Sequence, residues 1–593
     1  MERRTDDSDG IEKGEVGDLL DDYTARRITR RQFFARSAAL GVSVSLAATL
    51  LAACGGDDEE AAAPPAEEPP AGEPPASGPA ETGAPAEEPA GEPVAGGQLI
   101  EGYDRDFTRM DTVQSNWADP AYVALYEFTV VRDPDGAYQP ALVDSWEISE
   151  DLLTWTFTIR DGLTFHSGAA LDAQMIADNF NAFRDPEQGQ NAIFWPTVAD
   201  VQAPDATTVV VTMSAPFTAF PETLATEYAM IQNLAMRTEL GDQYGATGAD
   251  GSGPFTFGSF SPGVEVVVNR WDDYPGSNVP YIENTGAAYL DSVRWVPILE
   301  AGQRANEIEG GSVNVVKNPA GADVERLQGN GDLTTVSFPG LSNYFIGPNH
   351  QKTNLGFDDV RVRQAISHAI DRQSLVDSLY FGQAVATYGP IASNFKWYEP
   401  GVEEFNQYDP ELSASLLDEA GWTGSGGIRE KGGQQLSFTL TSNDAYQPTT
   451  AGIDQAVVEM LSAVGIEMKL DIPEAAEFFG TVAGGAETLD AWNFEWLWSS
   501  PVDLLIFFQA FPTTAWNGDL PEIAAAVKKW QEAPDDATLE EAAREFQLAW
   551  AEQLPEIPIL TRNDVWVHQN NVMGYTPSQT MLYPFYNDVW IAS

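Results

Sequence analysis

The chain has 593 residues and 64.3 kDa, enough for two or three domains, and its 43% hydrophobic and 11% aromatic content exclude wholesale disorder. Against 90 Asp and Glu stand only 31 Lys and Arg, a net charge of -59, which repels phosphate and argues against nucleic acid as a partner. The single cysteine, Cys54, rules out an intramolecular disulfide and a cysteine-built zinc site.

In chain order, Arg30-Arg31 and Phe33 precede an uncharged stretch from Ser37 to Ala53, and Leu51-Ala52-Ala53-Cys54 closes it. Basic residues before an apolar run are an export signal. The paired arginines resemble a twin-arginine signal, and Leu-Ala-Ala-Cys resembles a bacterial lipobox. Lipid attachment at Cys54 is therefore expected, holding the bulk of the chain outside the cytoplasm at a membrane. Residues 55–97 follow with 10 Pro, 11 Ala, 8 Gly and 11 acids but no base. This composition predicts a disordered, semi-stiff tether. The remainder, 98–593, keeps 70 acids and 23 bases.

The first part of that remainder reads as β-rich. Thr154–Ile159 alternates in polarity, Asp161-Gly162 is a turn, and Leu163-Thr164-Phe165 resumes the alternation, which predicts a hairpin. Thr207–Met213 and Val264–Val268 are further strands. The later part mixes helices and strands. Asp358-Asp359 caps a helix with Val362, Ile366, Ala369 and Ile370 on one face, and Asp409-Pro410-Glu411 opens another that Gly421 ends. Leu436–Leu440, a helix carrying Ile453, Val457, Met460, Leu461 and Val464, and Ile466–Ile472 make a βαβ unit, hence a parallel sheet.

Catalytic patterns are sparse. The four histidines, His166, His350, His368 and His568, lack metal-ligand spacing, and no Walker A loop, dinucleotide fingerprint or nucleophile elbow occurs. Gly251-Ser252-Gly253-Pro254-Phe255 is too weak a phosphate cradle to count. An enzyme is not expected; an extracellular hydrolase is the remote alternative, because carboxylates abound.

Several stretches match one family in order. Gln139-Pro140-Ala141-Leu142-Val143-Asp144-Ser145-Trp146-Glu147 leads to Thr154–Asp161, Gly162 and Phe165-His166-Ser167-Gly168; then come Gly251–Phe255, Phe357–Arg372 and Tyr408–Trp422. Together they resemble the family 5 extracellular solute-binding proteins (peptide, oligopeptide and nickel class) of bacterial ABC importers, over essentially all of 98–593.

The resemblance implies an α/β, two-lobed fold like the large periplasmic binding proteins, with a ligand cleft between the lobes. It implies a first lobe at 98–337 completed by 556–593, and a second at 338–555. The implied activity is capture of a peptide or peptide-like solute, with an oligosaccharide as the alternative, and delivery to an ABC permease, by a monomer without cofactor or metal. The arginines of Asp359-Val360-Arg361-Val362-Arg363 are expected to lock their lobe through local carboxylates. Cleft residues carried over by resemblance are Asn116, Trp117, Trp195, Tyr344, Trp496, Trp498 and Asp503. Peptide-binding relatives carry an acid where this chain has Pro501, and Asp503 is the nearest one. Trp492, Phe494, Trp496 and Trp498 share a strand face that must be either cleft or core.

Overall fold

The computed structural model describes residues 91–592 except 115–118, 190–191, 196, 396, 425, 445–449, 485–488 and 498–519. The signal, Cys54 and most of the tether lie outside the described residues. No described helix is long and apolar enough to cross a membrane.

One large mixed sheet organises the molecule. Its path runs through Glu467–Asp471, Ser437–Thr441, Ala491–Leu497, Ser342–Pro348, Ile557–Gln569, Val315–Lys317, Gln98–Tyr103, Ser292–Pro297, Glu265–Arg270 and Phe255–Ser261. The long strand Ile557–Gln569 joins the two halves of this path. Its first half pairs with Ser342–Pro348, through Tyr344 opposite Leu560. Its second half pairs with Leu333–Pro339, from Asn563 opposite Pro339 to Gln569 opposite Leu333. The partner changes between Arg562 and Asn563, where Gly340 N donates to Arg562 O at 2.9 Å. A Cβ on Gly340 would sit 2.8 Å from that oxygen, so the crossover admits only glycine without movement. The chain thus forms two α/β lobes joined by strands.

The βαβ unit is present. Ser437–Thr441 and Glu467–Asp471 are parallel, and the helix Ala451–Ala463 between them buries Ile453, Val457 and Leu461. Asp359 caps Val360–His368 by accepting from Arg361 N, and Asp409 caps Pro410–Glu419 by accepting from Leu412 N. Gly421, at φ 87, ends the latter.

Two sequence readings are corrected. The hairpin does not form: Thr154–Ile159 is flanked on both sides, by Val143–Ile148 and Thr208–Met213, and offers no free edge. Phe165 N instead donates to Ala169 O at 2.9 Å, so this segment folds on itself. The arginine lock is only half carboxylate. Arg361 pairs with Asp359 at 2.6 Å, whereas buried Arg363 donates to the carbonyls of Phe357, Gln553 and Leu554.

Two motifs prove to be one lock. His166 N donates to Gly251 O at 2.8 Å, its Nε2 contacts Gly253 O at 3.0 Å, and Ser167 Oγ donates to Asp250 Oδ2 at 2.5 Å. A Cβ on Gly251 would meet Leu125 O at 1.9 Å, so the glycines serve close backbone packing.

Candidate functional site

Strand directions locate the site. Gln98–Tyr103 runs parallel to Ser292–Pro297 and to Val315–Lys317. Val315–Lys317 is antiparallel to the long strand, with Val315 opposite His568 and Lys317 opposite Trp566, so its carboxyl end points toward the crossover. In the second lobe, Ser437–Thr441, Glu467–Asp471 and Ala491–Leu497 are mutually parallel. Ala491–Leu497 ends with Leu497 opposite Ser342, again at the crossover. The carboxyl ends of the two parallel sets therefore face each other, and open α/β sheets bind ligands at those ends.

On the first-lobe edge stand Asp104, Arg105, Lys317 and Asn318. Asn318 adopts φ 50, donates from Nδ2 to Asp104 Oδ2 at 3.1 Å, and accepts from Val565 N at 3.0 Å. Lys317 is buried; its Nζ lies 3.5 Å from Asp564 and 4.8 and 5.4 Å from the ring centroids of Trp566 and Tyr583. Burial would raise Asp104, but Arg105, Lys317, Arg304 and the Asn318 amide outweigh it and hold the carboxyl well below its ordinary value. Deeper in the same strand, burial pushes Glu101 up to about 7 despite hydrogen bonds from Tyr586 and Trp295. Asp111 and Asp119 bracket 115–118. Asp111 accepts from Arg237 Nε at 3.1 Å and from Gln232 Nε2 at 2.9 Å. Asp119 accepts twice from Thr108 and is pushed by burial up to about 7.

On the second-lobe edge the groups are uncharged donors and acids. Asp454 is fully buried, bonded by Tyr344 OH and by Asn493 Nδ2 at 2.5 Å. Asn493 Nδ2 also reaches Ser442 Oγ at 3.2 Å, and its Oδ1 accepts from Asn443 N at 2.8 Å. Thr450 Oγ1 donates to Asp444 Oδ1 at 2.8 Å. Burial, with Asp444 adding repulsion, raises Asp454 to about 6. Beside this network, Arg562 forks onto Glu495.

Of the residues expected in the cleft, Asn116, Trp117, Trp498 and Asp503 lie outside the described residues. Trp496 is placed by its backbone alone, opposite Asn343. Trp195 is 3% exposed and packs against Phe180, Phe183 and Phe220 at 5.2, 5.6 and 5.7 Å, a core position. Tyr344 is fully buried and serves as the donor to Asp454. Trp492 and Phe494, half of the aromatic face, are core: Trp492 meets Phe345 at 5.2 Å and Phe494 stacks on Phe478 at 6.0 Å. The sequence reading missed Lys317, Asp444, Asp454 and the Glu495–Arg562 pair. Only Asp454 carried a signal, an acid adjoining the apolar face of Ile453 and Val457.

The histidines touch backbone carbonyls, of Gly253, Pro555, Gln407 and Gln569. Among the described residues no group of His, Cys, Asp and Glu could hold a metal ion. The arrangement suits recognition of a polar solute by fixed donors and charges between lobes.

Comparison with known proteins agrees with this geometry. The family model for bacterial extracellular solute-binding proteins, family 5 (middle region), matches residues 137–518. The glutathione-binding protein GsiB of Salmonella paratyphi A is 25% identical over 499 residues, covering 80% of this chain and 91% of that protein. The oligopeptide-binding protein AppA of Bacillus subtilis, solved with a nonapeptide, superposes with TM-score 0.69 at 22% identity, covering 85% of this chain and 100% of that one. NikA of Brucella suis, solved with Fe(III)-EDTA, gives TM-score 0.71 at 21% identity, covering 84% and 100%. The superpositions establish the two-lobed fold of the periplasmic binding proteins. With the facing strand ends and the family match over most of its length, the chain belongs to the bacterial extracellular solute-binding proteins of family 5.

Proposed function

We propose that the protein is the lipid-anchored receptor of an ABC importer, capturing a peptide or peptide-like solute between its lobes and handing it to a membrane permease. The observation that carries this reading is the pair of opposed strand-end edges, each furnished with buried polar and charged groups, in a chain of this family. Closure of the lobes would shift the equilibrium through the difference in affinity between open and closed states. Lobe limits at 98–337 with 556–593, and at 338–555, are proposed; the strand partners change a few residues inside them, at Gly340 and Arg562. Asn116, Trp117, Trp496, Trp498 and Asp503 are proposed to complete the walls. Pro501, where peptide-binding relatives carry an acid, and the tryptophan run favour an oligosaccharide as the second reading.

The test is a melting-temperature screen of the full chain against glutathione, di- to nonapeptides and neutral oligosaccharides, with calorimetry on each responder. Peptides should stabilise the protein, by about 2.7 kcal/mol at one hundred times Kd. Stabilisation by oligosaccharides alone selects the second reading.

A further inference from the structure

Two short segments from opposite lobes meet beside the crossover. The first follows Val315–Lys317: Asn318 N donates to Val565 O at 2.6 Å, and helix Gly321–Gln328 begins three residues later. The second is the end of helix Arg372–Tyr380, where Gln383 O accepts from Asn563 N at 3.0 Å before Ala384–Ala386 pairs with Leu560–Arg562. The backbone groups of alternate residues in a strand point to the same edge, so Asn563 and Val565 place both segments on one edge of the long strand.

Gly321 and Tyr380 touch there. A Cβ on Gly321 would lie 2.9 Å from Tyr380 O and 3.5 Å from Phe381 Cδ2. The nearer obstacle is backbone, which cannot swing aside as a side-chain tip does. Gly321 is not left-handed, so its own conformation admits any residue, and glycine is a poor helix former. What glycine supplies at this position is room for the other lobe. Phe381 departs from the usual pattern in the opposite sense. It ends its helix at φ 53, where glycine is the common choice, and it is 59% exposed. Burial does not explain a phenylalanine in that conformation; its ring edge lies along Gly321 instead.

Both partners belong to the facing edges. Gly321 stands just beyond Asn318 of the first-lobe edge. Burial aside, the charges that act on the Tyr380 hydroxyl are those of Arg562, Glu495, Asp444 and Asp454, at the second-lobe edge. Edges that swing apart separate this contact, and edges that approach press it together. We infer that Gly321 against Tyr380 and Phe381 is the stop on lobe closure, and that the missing side chain at 321 sets how narrow the cleft becomes. Residue 321 thereby controls affinity without touching the solute: a wedge there depletes the closed state, and apparent affinity falls with the closed fraction. The inference rests on the receptor reading above and adds the limit of its closing motion.

The experiment grades the wedge. Gly321→Ala and Gly321→Val are compared, in the full chain, with the wild type and with Gly331→Ala, whose added Cβ meets nothing within 4 Å. Melting temperatures without solute confirm that each variant folds. Glutathione, trialanine and maltotriose are the probes, followed by calorimetry, by dissociation kinetics and by small-angle scattering with and without the probe. The wild type should contract on binding. Gly321→Ala should bind the same probe about three- to tenfold more weakly, Gly321→Val more weakly still, with the loss in the dissociation rate and a smaller contraction. Gly331→Ala should match the wild type. Unchanged affinity in both wedges means that the neighbours give way, and tighter binding places the contact behind the pivot; either result overturns the stop while leaving the receptor reading intact. A loss in Gly331→Ala as large as in Gly321→Ala overturns it too. A wild type that binds none of the three probes overturns both.

Discussion

Arg562 and Glu495 form a two-armed ion pair, with both N–O distances at 2.6 Å, from strands that lie on opposite sides of Ser342–Pro348. The pair sits where the long strand changes lobes. Glu495 is 2% exposed, and Asp104 of the first lobe is near enough to favour the charged arginine as well.

Removing one partner of such a pair strands the other charge. Glu495→Gln should destabilise the protein by about 3 kcal/mol. Replacing both residues by methionine should recover much of the loss. Urea unfolding midpoints of the single and double variants check this; equal losses in both would assign the cost to packing instead.

Glu101 makes stability depend on pH. Its carboxyl is raised from 4.5 to about 7 in the folded state, chiefly by burial. A raised acid contributes fully below the unfolded value and loses that contribution as pH climbs through the folded value. Relative to Glu101→Gln, the wild type should therefore lose about 3 kcal/mol between pH 4.5 and 7.5. Paired melts of the two proteins isolate this carboxyl, because all other groups titrate alike in both.

The acidic surface should respond to salt. Residues 98–593 carry 70 acids and 23 bases, of which seven are lysines. Self-repulsion opposes compactness and is screened with a Debye length of about 10 Å at 0.1 M. The melting temperature is expected to rise between low and moderate NaCl. A flat response would mean that ion pairs such as Lys529–Glu545 and Arg326–Asp323 already balance the charge locally.

Cys54 should carry the lipid. A fatty-acid probe fed to expressing cells should label the wild type and not Cys54→Ser; equal labelling refutes the lipobox reading.

Local rules read well where a residue's role is fixed by its neighbours in sequence. Asp409 before Pro410 caps a helix whatever surrounds it, and the alternating Ile466–Ile472 finds its parallel partner after a helix ending at Gly465. The same rules fail where a distant strand decides. Nothing within Leu163–Phe165 reveals that Thr208–Met213 already occupies the edge of Thr154–Ile159. Trp195 was placed in the cleft by resemblance alone, but its three phenylalanine partners, from two separate helices, hold it in the core. The Asp444–Asp454 network was illegible for a related reason: its donors arrive from Tyr344 and Asn493, a hundred and more residues apart from each other. Strand direction, the fact that locates the site, exists only once pairing is known.

The long strand Ile557–Gln569 is central in the sheet yet follows its partners far along the chain. Neither lobe can close its sheet before Ile557–Gln569 has been made, because Val315 waits for His568 and Tyr344 for Leu560. Such distant partners slow folding and leave strand edges open meanwhile. A chain terminated before Ile557 lacks the strand that both lobes share, so neither lobe's sheet is completed without it.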